Sequence, residues 1–445
     1  METVLRQAGE EALRHIRTSG RSGEAFLMHN RELSIEVSSG KVETLKEAEQ
    51  TGLGIRVFAG GRVGFAYTTD LSGPAVVQTA QEATRITEFS FPDPYNGLPE
   101  GRQVYPAMRI RDDDIHSLPL EAKIEMARQV EREARSCHPS IQIIDRAGYE
   151  EHETSILIMN SNDLYAFGQA NYCGLHVSLA AVTPEETQSG FAYSLQRKAE
   201  SLDSRKVAKE AADRALRRLQ ARTIPSQVLP CVIDSQVTAR FLGLLSSSIQ
   251  ADNVLKGKSM LAGRMGEVVA SPLLTMVDDA TYELGVAGFP FDGEGVASTR
   301  TMVVEKGRLT GFLYDSYTAM KAGFVSTGNA VRSFRSLPAV GSTSLMVAPG
   351  PHQLPALWEG LDKGLYITDI MGMHTANTIT GDFSLGAAGL LIEDGRLTYP
   401  VRGITIAGNL LELLRKVDGV GGDWRFYGSK IAPSLRCSSL NIAGN

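Results

Sequence analysis

The chain is short of the residues that usually announce chemistry. Of 445 residues only four are cysteines and eight are histidines. Cys137, Cys173, Cys231 and Cys437 are scattered, with no C-x-x-C pair, which argues against a disulfide framework or a zinc knuckle and favours reduced, buried thiols. H-E-x-x-H and H-x-x-x-H are both absent, so no local motif puts two imidazoles on one helix face to hold zinc. G-x-S-x-G is missing, which removes a nucleophile elbow. The phosphate-binding G-x-x-x-x-G-K-[ST] is missing too, and the KGKS at 256–259 reads as a solvated turn. Acids outnumber bases and the net charge is −6, which weighs against a general basic surface for nucleic acid. No apolar run approaches the ~20 residues of a membrane span. Met1-Glu2-Thr3 opens into a charged helix without an apolar leader. These absences predict a soluble, cytoplasmic protein that binds neither membrane nor nucleic acid.

What is present is strand-forming. Hydrophobic residues make up 42% of the chain, enough for two or three cores, and 44 glycines favour turns over long helices. Val4, Leu5, Ala8, Ala12, Leu13 and Ile16 mark a helix over 2–17. Short strands follow at 25–28, 33–38, 42–48, 52–58 and 63–67, with turns at Ser39-Gly40 and Gly60-Gly61. A helix over 73–86 comes next, with Ser72 as its N-cap. Residues 91–111 are rich in proline and glycine, and 120–135 read as a helix. The first pattern then repeats. Strands at 140–147, 153–160 and 163–170 precede CGLHVSLAA at 173–181, which stands where TGLGIRVFA stood. The tetrapeptide GFAY occurs at 64–67 and again at 190–193, each time followed by a helix. A duplicated β-rich unit explains this order.

The expected organisation is α+β. An N-terminal domain, 1–222, contains two copies, about 22–90 and 140–219, joined by a linker at 91–139. A β-rich, barrel-like domain follows over 223–445. In it, 228–233 read as a strand, 235–249 as a helix capped by Ser235, 272–277 as a strand, and 301–305 with 309–314 as a hairpin turned at Lys306-Gly307.

The acid- and glycine-rich stretch 288–328 is the best candidate for a functional loop. Asp292 and Glu294 are candidate paired carboxylates, with Arg300 as a counter-charge to either and Asp315 nearby. His374 and Asn377 lie in a second polar loop, 372–389. As a hydrolytic site, Asp292, Glu294, Asp315 and His374 would have to converge. As structural groups, Asp292 and Glu294 would fix the loop through backbone N–H groups.

Two long segments, VDDATYELGVAGFPFDGEGVASTRTMVVEKGRLTGFLYDSYTAMKAGFVSTGNA and GMHTANTITGDFSLGAAGLLIEDGRLTYPVRGITIAGNLLELL, closely resemble the signature of the TldD/PmbA family. The resemblance runs over essentially the whole chain. It implies an α+β N-terminal half and a barrel-like C-terminal domain. It also implies a zinc site in the TldD branch, built from H-E-x-x-x-H on a helix and a cysteine near the end of the chain. The matching helix here, SQVTARFLGLLSSS, has no histidine and no glutamate; Gln236, Arg240, Phe241 and their neighbours stand in place of ligands. The tail GGDWRFYGSKIAPS has no cysteine, and Cys437 lies beyond the matching position. The chain is therefore similar to the PmbA branch, also called TldE, which lacks the zinc. For this chain the resemblance implies no metal and no catalytic residue of its own. It implies a TldD-type zinc-bearing partner, or a homodimer, and unfolded or flexible peptides as substrates. The family is linked to microcin maturation, antitoxin degradation and an older description as modulator of DNA gyrase. Asp292, Glu294, Arg300, Asp315, His374 and Asn377 are then expected to wall a chamber or touch peptide.

Overall fold

In the computed structural model, which describes residues 1–444, the chain begins with helix α1 (Glu2–Thr18). Its buried stripe of Leu5, Ala8, Ala12, Leu13 and Ile16 is the one set by the helical period. Three antiparallel strands follow, β1 (Ser22–Ser38), β2 (Lys41–Ala59) and β3 (Arg62–Thr68), and then α2 (Gly73–Phe89). A connector with α3 (Asp113–Ser117) leads to α4 (Leu120–Ser136). The second set is β4 (Ile141–Asn160), β5 (Tyr165–Val182), β6 (Thr187–Gln196) and α5 (Ser204–Leu216).

All six strands form one sheet, ordered β3-β2-β1-β4-β5-β6. At its centre β1 and β4 run antiparallel, with Glu24 opposite Asn160 and Val37 opposite Ala147. The two hairpins radiate outward from this seam. Side chains of a strand alternate between faces. On β1, Ala25, Leu27, Leu33 and Ile35 face cores shared with the helices, whereas Phe26 and Met28 face Phe291 and Phe334 of the C-terminal half.

The repeated GFAY has a packing reason. A Cβ on Gly64 would sit 1.9 Å from the Ala83 carbonyl oxygen of α2, and one on Gly190 would sit 2.1 Å from that of Ala211 in α5. Only glycine lets a helix backbone approach the strand so closely.

The short strands expected on either side of Asn30, Gln50, Glu150 and Asn171 are continuous instead. Polar residues there do not break the ladder, because they pair across strands; Arg31 Nε donates to Glu47 Oε1 at 3.0 Å. Ser72 stands at the N-cap of α2 without a side-chain cap bond; its own N–H donates to Asp70 Oδ1 at 2.8 Å.

The C-terminal half contains a closed barrel. Its strands are β7 (Gln227–Ile233), β14 (Lys363–Met371), β15 (Asp382–Glu393), β16 (Arg396–Asn409) and β20 (Leu435–Ala443), and β16 pairs with β20 to shut the ring. Short strand β17 (Val417–Val420) adds to β20, after helix α9 (Leu410–Arg415). A second sheet, ordered β10-β9-β8-β13-β19-β18, comprises β8 (Met276–Asp279), β9 (Arg300–Glu305), β10 (Arg308–Leu309), β13 (Leu345–Val347), β18 (Arg425–Tyr427) and β19 (Lys430–Ala432). Strands β11 (Ala330–Val331) and β12 (Ala339–Val340) form a separate ribbon.

Helix α6 (Ser235–Ser248) packs between barrel and second sheet, against β14, β13, β18 and β19. Its N-cap is Asp234, not Ser235: the Asp234 carboxylate accepts the Gln236 N–H at 2.9 Å, while the Ser235 N–H donates to Ser434 Oγ at 3.1 Å. Two short helices, α7 (Ala251–Leu255) and α8 (Ser316–Ala322), complete the half.

The expected strand over 309–314 stops at Leu309. Beyond it the chain leaves β9, and Leu313 instead exchanges hydrogen bonds with the segment after α6, its N–H to the Ile249 carbonyl at 2.8 Å. Likewise the strand expected over 272–277 begins only at Met276. Among the described residues no helix is long and apolar enough to cross a membrane.

Candidate functional site

The stretch 288–328 is where the two halves lock together. Asp292 is buried and accepts three backbone N–H groups, from Glu294 at 2.8 Å, Val296 at 3.0 Å and Ala330 at 2.9 Å. It therefore ties its own loop to β11. Burial and the adjacent Glu294 carboxylate push its pKa up to about 8, against the pull of those donors. Glu294, only 2% exposed, reaches the other way. One oxygen accepts Arg56 Nη2 at 3.1 Å, and the other accepts the Ser316 N–H at 2.8 Å at the start of α8.

Arg56 on β2 is the centre of a buried ionic cluster. It grips Glu24, its register partner on β1, through Nε at 3.1 Å and Nη2 at 2.8 Å. Arg332, from the loop after β11, donates to the same Glu24 carboxylate, and its guanidinium lies 4.6 Å from the Phe26 ring centre. Burial works against the charge on Glu24, but Arg56 and Arg332 more than offset it and hold its pKa below the ordinary value. Burial acts on both arginines as well. Arg56, with two carboxylates, still ends above its ordinary value; Arg332, beside one carboxylate and repelled by Arg56, falls to about 10. The cluster thus sets two arginines, Arg56 and Arg332, against the carboxyl groups of Glu24 and Glu294.

Beside the cluster lies a cavity of about 300 Å³, lined by Asp292, Arg332, Arg197, His152, Tyr172 and Phe289 among others. Buried Arg197 donates to four carbonyls, those of Ile110, Asn171, Gly285 and Gly288, and so stitches connector, β5 and C-terminal loop together. Tyr105 of the connector donates to the Gly295 carbonyl at 2.9 Å.

The six candidate residues do not form one site. Asp315 is the N-cap of α8, locked in a capping box with Thr318. Arg300 pairs with neither Asp292 nor Glu294. Its exposed guanidinium lies 3.7 Å from Asp279, its register partner on β8, because strand register aims it at the sheet surface. His374 is exposed on a short turn after β14, and Asn377 shapes the next turn by accepting the Ile379 and Thr380 N–H groups. A hydrolytic site of Asp292, Glu294, Asp315 and His374 is not assembled: the first three are tied up in backbone contacts, and His374 makes no hydrogen bond to them. Glu24, Arg56, Arg197 and Arg332 were not among the candidates. Arg197 and Arg332 stand just after β6 and β11 and gave no such signal. For Glu24 and Arg56 the signal was a lone charge inside an apolar strand, as in GLGIRVF. Such charges are buried only when paired, and the partners come from across the chain.

A second, larger cleft of about 770 Å³ separates α5 and β6 from the N-terminal end of α6 and β14. Two ion pairs cross it: Arg218 bonds Asp369, which also pairs with Arg240 on its own side, and Arg425 lies 3.2 Å from Glu210, which also holds Arg214 of α5 at 2.6 Å.

Helix α6 is the place to ask whether zinc fits. It presents Leu, Phe and Ser side chains, with half-buried Gln236 and exposed Arg240 in its first turns, and no imidazole, thiol or carboxylate of its own. Cys437 on β20 is fully buried, and burial first, then neighbouring Cys231, drive its thiol far up, away from the thiolate that zinc requires. Among the described residues no three His, Cys, Asp or Glu side chains converge to hold a metal ion. The donor set does not fit zinc.

Models of three PmbA/TldA metallopeptidase domains match the chain: domain 1 over residues 23–87, the central domain over 113–219 and the C-terminal domain over 226–444. The chain is 30% identical to Metalloprotease PmbA of Escherichia coli O157:H7, over 99% of this chain and 96% of that one. It is 28% identical to a Metalloprotease TldD homolog of Haemophilus influenzae, over 83% and 79%. A solved structure of a candidate modulator of a DNA gyrase from Thermotoga maritima superimposes with a TM-score of 0.90 at 28% identity, covering 98% and 99% of the two chains. TldE from Thermococcus kodakarensis shares the fold, with a TM-score of 0.90 at 22% identity over 98% and 99%.

Proposed function

The chain belongs to the PmbA/TldD metallopeptidase family, and we propose that within it this protein is a companion subunit that supplies no zinc chemistry. In this reading it assembles with a TldD-type zinc-bearing homologue and helps to wall a chamber in which unfolded or flexible peptides are cut. Maturation of peptides and degradation of antitoxins are the processes it would serve. The observation that carries the reading is α6. In a metallopeptidase C-terminal domain, the helix expected to hold the metal offers no imidazole, thiol or carboxylate, only apolar and hydroxyl side chains with Gln236 and Arg240. The wired junction between the halves supports a rigid wall, since Asp292 and Glu294 spend their oxygens on the loop, β11, Arg56 and α8.

The test is reconstitution. Mixed with its TldD-type homologue, the purified chain should form a stable complex by native mass spectrometry and support chelator-sensitive cleavage of an unstructured peptide. Chelator-sensitive cleavage by this chain alone would overturn the reading. A homodimer that ignores the homologue would favour a self-associating regulatory protein instead.

A further inference from the structure

Against the last turn of α6, three side chains from distant parts of the chain meet. Ser342 stands in the loop between β12 and β13. Lys430, which opens β19 beside β13, donates from Nζ to Ser342 Oγ at 2.8 Å and to Ser429 Oγ at 3.2 Å. Ser246 of α6 places its own Oγ 2.8 Å from Ser342 Oγ.

The serine between them is held from both sides. The Gly341 N–H donates to the Asn329 carbonyl at 2.9 Å, and Asn329 Nδ2 returns a bond to the Gly341 carbonyl at 3.1 Å. The Thr343 N–H donates to both oxygens of buried Asp278, at 2.9 and 3.1 Å, and Asn329 Nδ2 donates to that carboxylate at 2.7 Å. Residues before and after Ser342 are thus fixed to a rigid base, while Ser342 and Lys430 are themselves only half-buried. Among the described residues the Ser342 N–H donates to no other group. Burial lowers the Lys430 ammonium below its ordinary range, and the charge of Asp278 offsets this only in part. A hydroxyl, an amine within hydrogen-bond reach and a third group beside them are the parts of a nucleophile served by a lysine base.

We propose that Ser342 is a nucleophile, with Lys430 as its general base and Ser246 as a positioning residue, and that this site forms an acyl-enzyme from an ester or amide carbonyl. As the Ser342 Oγ–C bond forms, its proton passes to neutral Lys430 Nζ. The resulting ammonium protonates the leaving alcohol or amine as the C–O or C–N bond breaks. Water then hydrolyses the acyl-serine and restores both groups. No metal takes part, so this activity is separate from the companion role and stands or falls independently of it.

The full chain, with a zinc chelator present, is treated with a fluorophosphonate and, separately, with p-nitrophenyl acetate, and adducts are located by peptide mass mapping. Both reagents should modify Ser342. Ser342→Ala should abolish modification, and Lys430→Met and Lys430→Arg should each slow it about 100-fold or more. Lys430→Arg keeps the charge and the hydrogen bonds to the serines but cannot act as a base, so it separates catalysis from folding. Absence of any Ser342 adduct in the unmutated chain overturns the proposal, as does undiminished modification in Lys430→Arg.

Discussion

The two copies in the N-terminal half share a frame and differ in what they carry. Each has a hairpin, a GFAY strand and a helix, and each uses its glycine to bring helix backbone against the strand. Yet Arg56 and its cross-strand partner Glu24 correspond, by position in the hairpin, to Ser178 and its partner Arg146 in the second copy. The first pair is buried and reaches Glu294 and Arg332 across the junction. In the second, Arg146 is 56% exposed with only distant carboxylates beside it, and Ser178 borders the large cleft. Removing two charges from water is costly, and the cost is met only where several opposite charges and hydrogen bonds are supplied together. The C-terminal half supplies them to one copy alone. The shared hairpin–helix frame therefore fixed the scaffold, and docking decided where charge could be buried.

The strongest way to break this comparison is to remove the same kind of charge from both copies. Arg56→Met should destabilise the protein by about 3–5 kcal/mol, because Glu24 and Glu294 lose their shared partner in the interior. Arg146→Met should shift stability by about 0.5 kcal/mol or less. Urea unfolding of both variants checks this, and equal effects would show that the first copy's cluster is no anchor. The shared frame is probed by Gly64→Ala and Gly190→Ala. Each should cost about 1–3 kcal/mol, since the new methyl meets helix backbone rather than a movable side chain. Unequal losses in thermal unfolding would mean that the copies are not packed alike.

A pH-dependent effect is expected at Asp292. Its folded pKa, about 8, exceeds the ordinary 3.8. Between those values the folded chain keeps a proton that the unfolded chain releases, so its contribution to stability falls as pH rises from about 4 to about 8 and levels off above. Unfolding free energies measured across this range should show that decline, and Asp292→Asn should flatten it. The smallest change is expected for Arg300→Ala, within about 0.5 kcal/mol, because its long, exposed contact with Asp279 is screened by solvent.

Much of the architecture was legible in the sequence. The α1 stripe, the hairpin order, the two GFAY strands with their helices and the turn at Lys306-Gly307 all follow from local periodicity and glycine placement. The length of the strands was not legible, because Asn30, Gln50 and Glu150 look like breakers until their cross-strand partners are known. At the candidate site, the prominent acids of 288–328 were readable as a cluster. Their division of labour was not: Asp292 serves β11, Glu294 serves Arg56, Asp315 caps α8, and Arg300 belongs to Asp279.

By itself the sequence determined the mixed α+β character, the repeated unit and the lack of local metal-binding motifs, since each depends on residues close together along the chain. The tertiary structure alone decided that β16 meets β20 to close the barrel, that Glu24 and Arg332 share a buried charge, and that Ser246, Ser342 and Lys430 touch. These are meetings of residues far apart in the chain. They arise when whole faces are buried together, and no local pattern encodes which distant partner will satisfy a polar group left inside.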